Sequence, residues 1–309
     1  MKILAPDYYR SFRCIASKCR HNCCIGWEID IDEDTYGYYK NVNGDFGRRL
    51  RENISEEECP HFVLGEKERC PFLNSDNLCD IIINLGDVAL CRICNDHPRF
   101  RNFYSDAEEI GVGLSCESAA ELIVGKKDKT GICILSDDGE NGETLLEEKE
   151  FFEFRQEIFD ILQDRSKAVR KRLCEALELC GVKDGLNGRS LAELYNDLEY
   201  MDDGSRERIT SASEKYGIVG LPQETEVSFE QIAVYFVFRH LAKILDGEQL
   251  TGVMFFCVAG TEIIMRMCEH HFEKHGNITV GDIAEYARLY SAEIEYSEDN
   301  TYGIIESAV

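Results

Sequence analysis

The sequence predicts a mainly α-helical protein that begins with a cysteine-rich domain of short irregular elements, stabilised by a metal or cluster, and continues as an α-helical domain. Three observations predict this. Ten of the 15 cysteines lie within the first 116 residues. From about residue 146 onward, apolar residues recur at three- and four-residue spacing, the signature of amphipathic helices. Between the two patterns, "GKKDKTGICILSDDGENGE" (Gly125 to Glu143) is rich in Gly, Asp and Lys and has almost no apolar periodicity. The expected organisation is therefore a cysteine-rich iron–sulfur or metal domain over residues 1–125, a linker over 126–145 and a helical domain over 146–309.

The N-terminus, "MKILAPDYYRSFRC", has no apolar run and no small-residue cleavage site, so no signal peptide is expected. Three cysteine groups follow. The first is Cys14, Cys19, Cys23 and Cys24 in "FRCIASKCRHNCCIGW"; the second is Cys70 and Cys79 in "CPFLNSDNLC"; the third is Cys91 and Cys94 in "CRICNDHPRF", followed by Cys116 in "LSCESAAEL". A reducing compartment keeps thiols from pairing, and an odd count rules out complete disulfide pairing, so ligation is the leading explanation. A soft metal or an iron–sulfur cluster needs thiolates converging from several loops, which three groups can supply. Adjacent residues point their side chains differently, so the Cys23–Cys24 pair serves a multi-iron centre or two sites more easily than one tetrahedral zinc.

In the second half, Phe151, Phe154, Ile158, Ile161 and Leu162 mark one helix. Val169, Leu173, Ala176, Leu177 and Cys180 mark a second, closed by Gly181. Ser190 with Glu193, and Ser228 with Gln231, have capping-box spacing. "FEQIAVYFVFRHLAKILDG" is apolar nearly all round and reads as a central buried helix ending at Gly247. A long helix is expected from about Thr251 to His275, stopped by Gly276, and a last one after Thr279 with Ile283, Ala287, Tyr290 and Ile294 on its apolar face. The apolar stretch Gly252 to Met267 falls short of the ~20 residues of a membrane span and contains Glu262, so it reads as a buried helix of a soluble, cytoplasmic protein.

The balance of Asp+Glu 59 against Lys+Arg 34 gives a net charge of -25. Such a surface repels phosphate backbones, so neither nucleic acid nor membrane is an expected partner, whereas a lysine-bearing substrate is attracted. Cys59, Cys133, Cys174, Cys180 and Cys257 read as packing residues. Cys268, His271 and His275 share one helical face but read as a helix end before a metal site. The chain has no C-x3-C-x2-C, no G-x-G-x-x-G after a strand, no G-x4-G-K-[ST] and no H-E-x-x-H, and "GVGLSC" (Gly111 to Cys116) is too loose for a nucleotide loop.

"FRCIASKCRHNCCIGWEIDID", "CPFLNSDNLCDIIINLGDVALCRICNDHPRF" and "GVGLSCESAAELI" resemble the N-terminal cysteine domain of the flagellin lysine N-methylase family. That domain is itself similar to iron- or zinc-chelating proteins marked by C-x2-C-x2-C-C, although the first spacings here are four and three. "ARLYSAEIEYSEDN" (Ala287 to Asn300) resembles the family's helical C-terminal part. The resemblance implies a cytoplasmic bacterial enzyme that transfers methyl groups from S-adenosylmethionine to flagellin lysines, with a Cys-ligated iron–sulfur cluster of the [4Fe–4S] type, zinc being the alternative. Carried over residue by residue, the ligand candidates are Cys14, Cys19, Cys23, Cys24, Cys70, Cys79, Cys91, Cys94 and Cys116. Neither the catalytic residues nor the cofactor-binding residues are assigned by the motifs.

The implied reaction needs a neutral lysine amine in line with the methyl and sulfur. Acidic charge attracts lysine but raises its pKa, so it is not the activator. Tyr8, Tyr9, Tyr36, Tyr38 and Tyr39 lie close in sequence to the first cysteines as alternative acceptors, each more simply a packing or surface residue. Trp27 reads as a core residue shielding the cluster. Arg92, Arg99 and Arg101 read as salt-bridge partners in an acidic chain before they read as ligands of a carboxylate.

Overall fold

A computed structural model describes the whole chain except residues 140, 141, 143, 183, 184, 188, 189, 215–219 and 309. In chain order the strands are β1 (Lys2–Pro6), β2 (Ile54–Ser55), β3 (His61–Phe62), β4 (Arg99–Phe103), β5 (Ala107–Val112) and β6 (Ile132–Asp137). The helices are α1 (Glu33–Asn41), α2 (Gly44–Glu52), α3 (Asp80–Leu85), α4 (Arg92–Asp96), α5 (Glu117–Val124), α6 (Leu146–Leu162), α7 (Val169–Leu179), α8 (Leu191–Asn196), α9 (Asp203–Glu214), α10 (Glu226–His240), α11 (Leu250–His275), α12 (Val280–Tyr290) and α13 (Glu298–Ser307). The protein is mainly α, as its sequence predicts.

The division into units is not the one expected. The chain separates into a helical unit, built from Met1–Phe12 together with Phe100–Val309, and an inserted unit, Arg13–Arg99. The reason is a long-range pairing: β1 lies parallel to β5, Lys2 opposite Ala107 through Leu4 opposite Glu109, and antiparallel to β6. The first residues are thus drawn into the sheet of the helical unit, whose strand order is β4-β5-β1-β6. Residues 132–137 of the expected linker form β6, while 140, 141 and 143 lie outside the described residues.

In the helical unit α10 and α11 pack against each other at the centre, with α7, α9, α12 and α13 around α11. Every residue of α10 from Ser228 to Phe238 is buried, which is why the sequence there is apolar on all sides. The apolar stretch of α11 is long enough to cross a membrane by length and composition, but 89% of it is buried inside the protein. Gly276 closes α11 in the left-handed conformation at φ 72°, which glycine adopts without a Cβ penalty. Thr279 and Asp282 form the reciprocal cap that starts α12.

Three expectations are corrected. Ser228 is not a cap: α10 begins two residues earlier, after a single 3₁₀ turn, and leaves the Ser228 hydroxyl inside a buried helix without a partner. The last expected helix ends at Tyr290, and Ser291–Glu295 widens into a π turn before α13 begins behind a Ser297 cap. Cys59 and Cys174 are exposed, not packed, whereas Cys180 and Cys257 are buried as expected.

Buried carboxylates in the helical unit are matched by arginines. Glu109, fully buried in β5, takes both Arg155 amino groups of α6 at 2.7 and 2.5 Å and the Tyr104 hydroxyl at 2.9 Å. Burial pushes the Tyr104 hydroxyl pKa far upward, so it stays a donor. Glu230 of α10 pairs with Arg172 at 2.7 Å, and Glu262 of α11 with Arg266 at 2.8 Å and Arg170 at 3.0 Å. Removing one partner of such a pair leaves the other charge buried and uncompensated. Glu109→Gln is therefore expected to cost about 3–5 kcal/mol in denaturant unfolding of the helical unit, and the double variant Glu109→Leu with Arg155→Met much less.

Candidate functional site

The inserted unit has a small core of its own: Ile29, Ile31, Tyr39, Leu50, Phe62, Phe72, Leu73, Ile81, Ala89 and two cysteines, Cys70 and Cys91, with Cys24, Cys79 and Cys94 packed against it. Its strands are two residues long, and its longest helices, α1 and α2, have nine. Thiols therefore form a substantial part of what little interior there is.

Backbone pairing brings the cysteine groups together. Ile25 bridges Arg69, and the Cys70 amide donates to the Cys24 carbonyl at 2.8 Å, placing the adjacent pair beside the second group. Within "CPFLNSDNLC" the chain folds back so that Leu73 bridges Cys79 and the Asp80 amide reaches the Phe72 carbonyl at 2.7 Å. Asn74 shapes this loop: its side-chain oxygen accepts from the Asp76 and Leu78 amides at 2.9 and 3.1 Å, and its amide donates to Asp80 at 3.0 Å. Arg49 of α2 anchors the loop, reaching Asp80 and the Pro71 carbonyl at 2.7 Å each. The third group is tied in by Asp32, which caps α1 through the Thr35 amide and accepts the Arg92 amide at 2.7 Å, and by the Tyr39 hydroxyl on the Ala89 carbonyl at 2.6 Å.

Six of the nine candidate thiols interact as a result. The Cys23 and Cys24 side chains are hydrogen-bonded to each other, as are those of Cys91 and Cys94. Sharing a proton makes one member of each pair easier to ionise: Cys23 is lowered to about 7, Cys91 is lowered as well, and their partners Cys24 and Cys94 are raised. Cys24 also feels the charges of Cys70 and Cys79, and Cys94 those of Cys24 and Cys70, so the groups lie within electrostatic reach of one another. Burial pushes Cys70 up to about 11 and raises Cys79. Backbone amides oppose that rise, those of Phe72 and Leu73 toward Cys70 and those of Ile81 and Ile82 toward Cys79. Amides two and three residues beyond a cysteine, aimed at its sulfur, favour the thiolate that a metal binds.

The other candidates stand differently. Cys14 is exposed and accepts the Ala16 amide at 3.4 Å within its own turn; Cys19 is half-buried; Cys116 precedes α5 in the helical unit. Among the described residues, no group of three or more His, Cys, Asp or Glu side chains is placed so as to hold a metal ion. The donor set nonetheless suits a thiophilic centre, because the converging atoms are sulfur and two pairs of them share protons that a metal can displace. Of the tyrosines, Tyr39 is the one packed on these thiols: burial, then the charges of Cys91, Cys94 and Cys79, raises its pKa. Tyr8 and Tyr9 belong to the helical unit, and Trp27 is half-buried. Arg101 pairs with Glu108, the salt bridge its acidic surroundings suggest, and Arg99 donates to the Asn95 carbonyl at 3.2 Å. Asp32 and Asn74 carry no signal of chemistry in the sequence beyond Asn74's place in a polar turn.

A thiol-rich unit inserted into a mainly helical protein is thus the class that fold and site define. Three curated relatives resemble the chain. Two are lysine-N-methylases, from Salmonella typhimurium and Salmonella choleraesuis, each 29% identical over 137 residues covering 41% of this chain and 33% of the relative. The third is the flagellar biosynthetic protein FliU of Salmonella muenchen, 28% identical over 137 residues covering 41% of this chain and 79% of that protein. The match spans about a third of the length of the two methylases. These likenesses bear out the resemblance to the lysine N-methylase family read from the cysteine motifs. No family model and no solved structure matches the chain.

The shared proton of the adjacent pair yields a pH prediction. Cys23 should alkylate with a midpoint near pH 7, its reactivity rising as pH passes that value, and Cys24→Ala should move the midpoint toward the ordinary thiol value of 9.0. Site-resolved mass spectrometry after brief iodoacetamide treatment of the reduced, metal-free chain checks this. An unchanged midpoint in the variant contradicts the shared proton.

Proposed function

We propose that the chain is a cytoplasmic S-adenosylmethionine-dependent protein-lysine N-methyltransferase acting on flagellin, and that its inserted unit holds an iron–sulfur cluster of the [4Fe–4S] type. The observation that carries the activity is the likeness to the two lysine-N-methylases and FliU. What supports the cluster is the convergence of Cys23, Cys24, Cys70, Cys79, Cys91 and Cys94, with backbone amides directed at Cys70 and Cys79. Cys14, Cys19 and Cys116 complete the candidate set implied by the family.

When bound, S-adenosylmethionine supplies an electrophilic methyl on a sulfonium; the N–C bond forms as the S–C bond breaks, and the lysine nitrogen then gives up a proton. The chain's net charge of -25 concentrates a cationic lysine substrate near the surface. That same charge disfavours the neutral amine, so a pocket that excludes water must deprotonate it. Four of the six thiols of the inserted unit would hold the cluster as thiolates, giving up their protons on binding, and the other two would stay beside it as thiols. Because the unit's core is small, ligation there contributes folding free energy.

Anaerobic purification with iron, sulfide and zinc analysis, followed by incubation with S-adenosylmethionine and flagellin, tests the reading. About four irons and four sulfides per chain are expected, together with methylated flagellin lysines by mass spectrometry. The double variant Cys70→Ser with Cys91→Ser should lose the iron and lower the melting temperature of the inserted unit. Zinc alone with no methyl transfer would overturn the proposal in favour of a structural metal protein.

A further inference from the structure

The helical unit contains a cavity of about 340 Å³ that the cysteine chemistry does not use. Its walls come from β4, the end of α10 and the turn after it, the π turn Ser291–Glu295, and the start of α13. π turns of this kind recur at functional sites, because the extra residue re-aims a side chain. Here Glu295 is turned fully inward, where it accepts from the Tyr235 hydroxyl at 2.8 Å, from His240 Nε2 at 2.7 Å and from the Ser291 hydroxyl.

Arg239 completes this floor. Its Nη1 lies 3.4 Å from Glu295 and donates to Tyr235 at 2.8 Å, and its guanidinium is sandwiched between the rings of Phe100 at 4.9 Å and Tyr296 at 4.6 Å. The arrangement depends on Gly113, where a Cβ would stand 2.2 Å from the Tyr296 hydroxyl and 2.9 Å from Arg239 Nη1. Despite burial, Arg239 and then His240 hold the Glu295 carboxyl down at about 2, while burial keeps His240 neutral, at about 4. The floor is thus rigid and internally compensated.

The rim is not. Lys243 lies 4.6 Å over the Tyr302 ring, and Glu298 is exposed in the first turn of α13. Neither is in an ion pair among the described residues, although both line the same cavity. A structural ion cluster needs no opening; this one has a cavity above it, an aromatic wall, and one uncompensated charge of each sign at the mouth. A pocket with few, fixed polar groups and aromatic walls is the usual form of a small-molecule site.

We propose that this cavity binds a small zwitterion of the α-amino-acid class, its carboxylate toward Lys243, its ammonium toward Glu298 and its side chain against the aromatic wall. The headgroup of S-adenosylmethionine and a free amino acid share this chemistry; assigning the occupant as the methyl donor rests on the methylase reading above.

Calorimetric titration of the reduced full chain with S-adenosylhomocysteine, L-methionine and L-lysine in turn tests the proposal, alongside Lys243→Gln and Glu298→Gln. Both substitutions lie on the rim, and unchanged melting temperatures confirm that they leave the floor intact. At least one probe should bind, and each variant should weaken it about tenfold or more, the loss expected for one charge-assisted hydrogen bond. Binding of S-adenosylhomocysteine that both variants weaken supports the cavity and the methyl donor together. Binding of a free amino acid alone, weakened in the same way, supports the cavity and removes the methyl donor from it. Binding of S-adenosylhomocysteine that is not weakened by both variants keeps the methylase reading and overturns the cavity assignment; the absence of binding by all three probes overturns the cavity assignment.

Discussion

The parallel pairing of β1 with β5 sets the plan of the molecule. Residues 105 positions apart, more than the length of the inserted unit, become neighbours in one sheet, so the chain leaves the helical unit at Phe12 and re-enters it at Phe100. Everything between must then find stability within itself. Closing so long a loop carries an entropic cost that grows only slowly with length, and the sheet meets it with a buried centre: β5 is buried along its whole length and locked to α6 through Glu109 and Arg155.

The inserted unit inherits a harder problem, because 87 or so residues with two-residue strands and short helices bury little apolar surface. Domains that bury little apolar surface often add a metal or disulfides. Here the interior is completed by sulfur. Packed thiols are tolerable as neutral groups, which is why burial raises Cys70 and Cys79, yet the backbone presents amides to those same sulfurs as though to thiolates. The two tendencies conflict only while the sulfurs carry protons; a thiophilic centre in their place satisfies both.

Much of this was legible in the sequence, and the rest was hidden for identifiable reasons. The helices of the second half announce themselves by period and by their stops at Gly181 and Gly276, because helical order is local, whereas the central helix α10 does not reach the expected stop at Gly247: it ends at His240 and passes into a 3₁₀ segment, Leu241–Ile244. Grouping nine cysteines as one candidate set was also possible, since spacing is local, and six of them do interact. The boundary at residue 125 was misplaced because the β1–β5 pairing is non-local and leaves no mark near either strand. Ser228 misled as a cap because Ser-x-x-Gln also occurs inside a helix whose start is set by a preceding 3₁₀ turn. The Glu295, Arg239 and His240 assembly went unseen, since its members are ordinary charged residues until α10 and the π turn bring them together.

In this structure one set of thiols in the inserted unit acts together. The most direct test is a cadmium titration of the reduced, metal-free full chain, with protection of every cysteine from alkylation read by mass spectrometry. Joint protection of Cys23, Cys24, Cys70, Cys79, Cys91 and Cys94, with Cys59 and Cys174 still reactive, is expected. Protection scattered over all exposed cysteines, or one that leaves Cys70 and Cys91 reactive while Cys23 and Cys24 are covered, would contradict it.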